Sequence, residues 1–265
     1  MKLEIISREP VAQKWPVPLL FIHGSCHAAW CWNEYFLPYF AENGFSAHAL
    51  SLRGHGASDG AEKLKWASIS DYVADAFQTA EGLAEPPVVI GHSLGGLVVQ
   101  KYLEKHPAPA GILLASSPSE GMLWSGMKVH MKNPWLFTKV FFKQDFSLLY
   151  NTPAGAGKFL FSADADKDRV ALYSSRLGKE SFRGAMEMTY NLPKPQKIKT
   201  PLLVLGAEND AIVPPEKVEK TAKAYNADYK IFPDMAHDMM LERGWQKVAD
   251  FMIDWLERKF DDRRA

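Results

Sequence analysis

Short apolar runs alternate with longer amphipathic stretches along most of this chain of 265 residues. Each run is rich in Val, Ile, Leu or Phe and is followed by turn residues, as is typical of buried parallel strands. The runs span residues 19–22, 45–52, 87–90, 111–115, 201–205 and 229–232, with 2–8 as an additional edge strand. Helical patterns occupy residues 30–42, 70–83, 94–105, 215–225 and 245–259. The alternation predicts an α/β fold, with a mostly parallel sheet of about eight strands and helices on both faces.

The composition and charge exclude several other classes of protein. Hydrophobic residues make up 47% of the chain and charged residues 23%, as in an ordinary globular protein. Its 31 basic and 31 acidic residues balance, so attraction to nucleic acid or an anionic membrane would require a local basic patch, and none is obvious. Cys26 and Cys31 lack a metal-ligand spacing. Without a signal-peptide pattern or a long apolar run, we expect a cytoplasmic protein with no membrane span.

Residues 119–198 interrupt the alternation, because no convincing strand occurs there and methionines and aromatic residues are frequent. We interpret this segment as a helical cap inserted into a core domain of residues 1–118 and 199–265. The alternative is a set of ordinary core helices of the main domain. Methionine and aromatic side chains suit the wall of an apolar pocket, and we expect this wall to include Trp124, Met127, Phe141 and Phe142.

A nucleophile motif follows the run at residues 88–90. Gly91-His92-Ser93-Leu94-Gly95 fits the pattern Gly-x-Ser-x-Gly and opens a helical stretch, which is the context that a nucleophile elbow requires. The sharp turn is strained, and the residues two before and two after the nucleophile must be small, as Gly91 and Gly95 are. The alternative is a glycine-rich turn that contains a serine by chance. A serine hydroxyl is a weak nucleophile and needs a general base.

Candidates for that base and for the carboxylate that orients it follow two later strands. Asp210 comes just after the run at 201–205, and His237 lies in the loop after the last strand. Carboxyl ends of parallel strands meet at one sheet edge, so these side chains can reach the same crevice. Glu208 is the alternative orienting residue. The order Ser93, Asp210, His237 agrees with that of an α/β-hydrolase triad.

An oxyanion hole needs two backbone N–H donors. One is expected from Leu94, which follows the nucleophile, and the other from Ser25, in the loop that begins at His23-Gly24. We include Gly24 and His92 among the pocket residues. The alternative for His23 and His92 is a structural role, in which the buried ring makes hydrogen bonds to loops. The side chains of Ser25 and His27 could reach a substrate.

Taken together, these motifs resemble the α/β-hydrolase superfamily across residues 21–238. Residues 23–32 are similar to the plant methylesterase and hydroxynitrile lyase branch, which has a comparable Cys-His-x-Ala-Trp run. In the lyases a Thr matches Gly24 and a Lys follows the catalytic His, whereas this chain has Gly24 and Asp238. Dehalogenases and epoxide hydrolases of this fold use Asp as the nucleophile, where this chain has Ser93.

The residues and the resemblance predict a serine carboxylesterase that acts on a small to medium apolar ester without a metal or an organic cofactor. Ser93 would form the acyl-enzyme, His237 would act as base and Asp210 would orient His237. Lactonase, thioesterase or perhydrolase chemistry on the same triad is the first alternative. A hydroxynitrile lyase and a ligand receptor on the same fold are the others. We expect no nucleic-acid partner.

Overall fold

One sheet organises the computed structural model, which describes residues 1–123, 127, 131 and 134–261. Its strands, within the described residues, are β1 (Glu4–Arg8), β2 (Leu19–Ile22), β3 (Ala47–Ser51), β4 (Val88–His92), β5 (Gly111–Leu114), β6 (Leu202–Ala207) and β7 (Asp228–Phe232). They pair in the order β1-β3-β2-β4-β5-β6-β7. Among the described strands, only β1 is antiparallel to its neighbour, which confirms the mostly parallel sheet.

The described part of the sheet has seven strands where the sequence predicts about eight. Pro10, Pro16 and Pro18 lie in the segment between β1 and β2. Because proline has no N–H to donate to a ladder, this segment does not add a strand.

Helices cover both faces of the sheet. Before β5 lie α1 (Trp30–Asn33), α2 (Phe36–Glu42), α3 (Ile69–Glu81) and α4 (Leu94–Leu103). Between β5 and β6 lie α5 (Pro134–Lys143), α6 (Pro153–Phe159), α7 (Lys167–Arg176) and α8 (Phe182–Tyr190). After β6 come α9 (Pro215–Tyr225) and α10 (Trp245–Asp261), and 3-10 helices span Ala61–Trp66, Phe146–Leu149 and Pro195–Lys197. Of the described helices, none has both the length and the apolar character needed to cross a membrane.

Side chains of the central strands supply two cores, one on each face of the sheet. In β2, Leu19 and Phe21 pack into one hydrophobic cluster, and Leu20 and Ile22 pack into the other. Successive side chains of a strand point to opposite faces, so a strand that is covered on both faces must be apolar throughout. This is why the central strands are visible in the sequence as uninterrupted apolar runs.

The helix predicted over residues 30–42 is divided into α1 and α2. Tyr35, between them, has φ −138° and ψ −46°, which is not helical. In a continuous helix Pro38 would leave the carbonyl of Glu34 without its partner and would clash with it. Pro38 instead falls in the first turn of α2, where a proline is tolerated.

The described residues between β5 and β6 form helices and turns and contain no strand, as the sequence predicts for residues 119–198. The division into a core domain of 1–118 and 199–265 and a separate cap of 119–198 stays a prediction.

Candidate active site

Ser93 occupies a strained turn between β4 and α4. Its backbone has φ 50° and ψ −116°, a conformation that L-residues rarely adopt. The chain passes so close to itself here that a Cβ on Gly91 would lie 2.3 Å from the Gly95 carbonyl oxygen. A Cβ on Gly95 would lie 2.3 Å from the carbonyl oxygen of Ile22. The strand–turn–helix geometry expected of the Gly-x-Ser-x-Gly motif is therefore present.

His237 and Asp210 form a buried hydrogen-bonded pair. The Nδ1–H of His237 donates to Asp210 Oδ2 at 2.7 Å, which leaves Nε2 as a proton acceptor. The other carboxylate oxygen of Asp210 accepts hydrogen bonds from the backbone amides of Ile212 and Val213, at 2.7 and 2.8 Å. The Asp210 side chain is therefore held in one orientation. Glu208, the alternative orienting residue, is exposed.

The surroundings of His237 change its basicity. Burial by itself lowers its pKa, but the Asp210 carboxylate and its hydrogen bond, together with Asp238, outweigh burial and raise the pKa of His237 above its usual value. For His92, burial and the neighbouring His237 lower the pKa to about 3. His92 is therefore neutral near pH 7, and its Nε2–H donates to the His237 carbonyl oxygen at 3.0 Å.

A second carboxylate–histidine pair lies directly beside the first. His27 Nδ1 is 2.9 Å from the Ser25 carbonyl oxygen, and its Nε2 is 3.1 Å from Asp238 Oδ2. The Ser25 carbonyl oxygen and the Asp238 carboxylate therefore hold the His27 ring through its two nitrogens. Burial by itself raises the pKa of Asp238. The hydrogen bond and charge interaction with His27, and the charge interactions with His92 and His237, outweigh burial, so the pKa of Asp238 is lowered. The position that holds Lys in the lyases thus carries a buried, paired negative charge.

The loop from His23 to His27 passes next to the nucleophile. His23 Nδ1–H donates to the Gly24 carbonyl oxygen at 2.8 Å, and His23 Nε2 accepts the Leu52 amide at 3.0 Å. His23 therefore acts as a buried structural histidine. At Gly24, a Cβ would lie 2.7 Å from His92 Nδ1 and 3.0 Å from Ser93 Cβ. This close approach leaves no room for the Thr of the lyases without a shift of these neighbours.

Cys26 follows Ser25 in the same loop, and the segment between α7 and α8 holds its backbone. It has φ 66°, in the left-handed region. Its amide donates to Glu180 Oε2 at 3.2 Å, and its carbonyl oxygen accepts the Gly178 amide at 2.8 Å. Glu180 is itself buried and accepts hydrogen bonds from the Tyr72 hydroxyl and the Ser181 amide. The sequence contained no local signal for this role of Glu180.

Ser93 and His237 line one cavity of about 400 Å³. Its other polar residues are few, and its wall is mainly apolar. The polar ones are Ser25, His27, His92, Ser117 and Thr189, and the apolar ones are Met122, Leu123, Met127, Phe141, Phe146, Leu149, Tyr150, Phe159, Leu160, Ala185, Met186, Met188 and Ile212. The hydroxyls of Ser25 and Ser117 are buried and have no hydrogen-bond partner within the described part of the chain. Two hydroxyls are thus available to a ligand.

The predicted pocket residues divide into three groups. Met127, Phe141 and His92 line the cavity, whereas Trp124 lies outside the described residues. Phe142 is 90% exposed, so its assignment to the pocket is corrected. Successive residues of a helix point about 100° apart, and α5 therefore turns Phe142 outward when it turns Phe141 inward.

Leu94 and Gly24 border the nucleophile without lining the cavity. As the first residue of α4, Leu94 has an amide with no partner inside the helix. Sequence reasoning missed Ser117, although it lies beyond the carboxyl end of β5, where ligands of α/β sheets bind.

A family model described as serine aminopeptidase, S33, matches residues 17–244 of this chain. The chain belongs to this hydrolase family. It has the α/β-hydrolase fold, as its likeness to solved structures of esterases and lipases also shows. One is a carboxylesterase structure from the thaumarchaeon Nitrososphaera gargenis, with a TM-score of 0.75, 19% identity, and coverage of 98% of this chain and 96% of that chain.

Two curated proteins illustrate the range of relatives. A monoacylglycerol lipase of Mycolicibacterium smegmatis is 24% identical over 238 residues, which is 82% of this chain and 80% of the lipase. Methyl jasmonate esterase 1 of Vitis vinifera is 34% identical over 90 residues, 33% of this chain and 34% of the esterase. Both names describe enzymes that act on esters, which supports an ester-hydrolysing enzyme here.

Proposed function

We propose that this protein is a serine carboxylesterase with Ser93 as nucleophile, His237 as general base and Asp210 as the residue that orients His237. The observation that carries the proposal is the His237–Asp210 hydrogen bond of 2.7 Å beside a cavity that Ser93 also lines. Because this bond occupies Nδ1, the Nε2 lone pair of His237 is available to the Ser93 hydroxyl.

In the proposed reaction, Ser93 Oγ attacks the ester carbonyl carbon while His237 Nε2 takes the hydroxyl proton. The tetrahedral intermediate collapses to the acyl-enzyme, and His237 returns the proton to the leaving alcohol. Water, deprotonated by His237, then attacks the acyl carbon, and the acid leaves as Ser93 regains its proton. The backbone N–H groups of Leu94 and Ser25 would stabilise the oxyanion in both steps.

The cavity supports an apolar substrate of small to medium size. Its volume of about 400 Å³ is within the usual range of small-molecule pockets, and most of its lining residues are apolar. Residues 119–198 supply many of them, including Met122, Phe141 and Met186. We therefore propose that this segment acts as a cap that selects the ester. The names of the lipase and methyl ester relatives are consistent with an ester that carries an apolar group.

The site offers less support to a hydroxynitrile lyase. The Thr and Lys of that branch correspond to Gly24 and Asp238 in this chain. Gly24 has no space for a larger side chain, and Asp238 holds a negative charge paired with His27. A negative carboxylate cannot replace a lysine ammonium next to a developing anion.

Steady-state hydrolysis of p-nitrophenyl esters from acetate to decanoate tests the proposal. We expect multiple turnovers that disappear in Ser93→Ala and persist in Ser175→Ala, which removes an exposed hydroxyl from α7. Equal activity in Ser93→Ala would show that Ser93 is not the nucleophile. A folded wild-type protein that turns over none of the esters would contradict the carboxylesterase, and product release limited to one equivalent would favour a receptor.

A further inference from the structure

The cap segment contains a basic stretch that the balanced net charge conceals. Residues 122–144 contain Lys128, Lys132, Lys139 and Lys143 but no Asp or Glu. The whole chain has equal numbers of basic and acidic residues, so this stretch is a local excess of positive charge.

The same stretch exposes large apolar side chains. Trp135 is 81% exposed, Phe142 90% and Met131 76%, and Leu123 and Met127 are also exposed. On α5, Trp135, Lys139 and Phe142 follow one another at intervals of four and three residues, which places them on one face of the helix. We name the outer surface of α5 formed by Trp135, Lys139, Phe142 and Lys143 the basic apolar face.

The opposite side of α5 is already used inside the protein. Val140 is fully buried, and Phe141 packs against the rings of Phe146 and Phe182 with centroid distances of 5.9 and 6.0 Å. Val140 and Phe141 therefore pack α5 against the rest of the protein, and this packing does not require Trp135 or Phe142. Exposed aromatic residues of this size, next to one another on a surface, generally mark a binding surface.

We propose that the basic apolar face binds an anionic lipid surface. Trp and Phe side chains insert into the boundary between headgroups and acyl chains, while lysines beside them interact with lipid phosphates. Each lysine near an anionic surface strengthens binding by about fivefold. Within residues 122–144 no Asp or Glu opposes this attraction.

A second copy of the chain is a less suitable occupant. In a symmetric dimer the same face meets itself, so Lys139 and Lys143 would approach the same lysines of the other copy. Like charges brought together in this way oppose association. A lipid surface of opposite charge satisfies the apolar and the basic groups together.

The arrangement has a consequence for any ligand of the cavity. Since α5 carries the basic apolar face on one side and Phe141 on the other, binding would bring the cavity wall next to the lipid surface. An apolar molecule dissolved in the lipid would then have a short route into the cavity. The proposal concerns binding alone and holds whether or not Ser93 acts as an esterase.

Co-sedimentation of the full chain with vesicles tests the proposal. We compare vesicles of phosphatidylcholine with vesicles that also contain about 30 mol% phosphatidylserine. The variant Trp135→Ala/Phe142→Ala tests the apolar part, and Trp66→Ala, another exposed tryptophan but outside residues 122–144, is its control. Lys139→Gln/Lys143→Gln tests the charge, with the exposed Lys223→Gln/Lys247→Gln as a control of equal net charge.

We expect the wild type to bind the anionic vesicles and to bind pure phosphatidylcholine much more weakly. Removal of the two aromatic side chains should lower the partition coefficient at least tenfold, and removal of the two lysines roughly twentyfold. Circular dichroism establishes that each variant is folded. Equal binding by the wild type and both test variants, or equal binding to the two vesicle types, would overturn the proposal. A different result would also overturn it: the wild type binds neither type of vesicle and is a dimer in sedimentation equilibrium, while both test variants are monomers.

Discussion

Glu180 accepts a hydrogen bond from the backbone amide of Cys26 at 3.2 Å, across 154 residues of chain. The Cys26 carbonyl oxygen accepts the Gly178 amide at 2.8 Å, so both polar backbone groups of Cys26 are held by one segment. Ser25, the expected oxyanion donor, immediately precedes Cys26. We therefore expect the orientation of the Ser25 amide to depend on a carboxylate from a distant part of the chain.

The first prediction concerns this carboxylate as a positioning residue. We expect Glu180→Ala to lower kcat for a p-nitrophenyl ester by about tenfold to a hundredfold, with little change in KM, because complete loss of an oxyanion donor costs about 10²–10³ in rate. Affinity for a trifluoromethyl ketone, which forms an oxyanion on the serine, should fall in parallel with kcat. If Glu180 had only a structural role, inhibitor affinity would not fall in parallel with kcat.

Glu187→Ala is the matched control for Glu180→Ala. Glu187 is another buried carboxylate, in the neighbouring helix α8, but it accepts the Ile69 amide at 3.0 Å and an Arg183 hydrogen bond at 2.8 Å. Its loss should lower thermal stability without a comparable fall in inhibitor affinity. An equal fall in both variants would contradict the positioning role of Glu180.

The second prediction concerns the pH dependence of catalysis. Asp210 raises the pKa of His237 against the effect of burial, and only neutral His237 can accept the Ser93 proton. The kcat/KM profile should therefore rise with pH through an apparent pKa above 6.5, the usual value for histidine. Asp210→Asn should lower kcat by about 10⁴. An acidic limb centred below 6.5 in the wild type would contradict the assignment of His237.

The third prediction concerns acid stability. Burial and then His237 lower the pKa of His92 to about 3, so the unfolded chain binds a proton below pH 6.5 that the folded chain does not bind. From pH 6.5 towards 3, His92 therefore makes the free energy of unfolding fall by about 1.4 kcal/mol per pH unit. In His92→Gln, which can still donate to the His237 carbonyl, this contribution is lost. Urea denaturation at pH 6.5 and at pH 4.5 gives the difference in free energy of unfolding between wild type and variant, and this difference should change by about 2.3 kcal/mol between the two pH values.

The matched measurement uses His106, a half-buried histidine after α4. Glutamine at this position should produce a much smaller change in the stability difference between the two pH values. If His92→Gln and His106→Gln behave alike, the neutral state of His92 in the folded protein is disproved.

The fourth prediction concerns the buried pair of His27 and Asp238. Removal of one member leaves the other as a buried polar group without its partner, so Asp238→Asn and His27→Gln should each lower the free energy of unfolding by about 1–3 kcal/mol. The double variant should lose less than the sum of the two. Urea denaturation of the four proteins yields the coupling energy between the two side chains. Additive losses would show that the pair is not coupled.

The sequence made the framework predictable because its signals are local. The run 19–22 coincides with β2, since a strand covered on both faces must be apolar at each position. The elbow was also predictable, because Gly91 and Gly95 lie within two residues of Ser93 and meet the same steric requirement at short range. The division of residues 30–42 into two helices was missed, although Pro38 carried a local signal for it.

By itself, then, the sequence determined the strands, the strained turn at Ser93 and the order of Ser93, Asp210 and His237. Only the tertiary structure decided what surrounds them. Glu180 meets Cys26, and Asp238 meets His27 across 211 residues, because distant segments pack at one sheet edge. The phase of α5 placed Phe141 in the cavity and Phe142 outside it. Such contacts depend on how elements pack against one another, and local composition does not encode that packing.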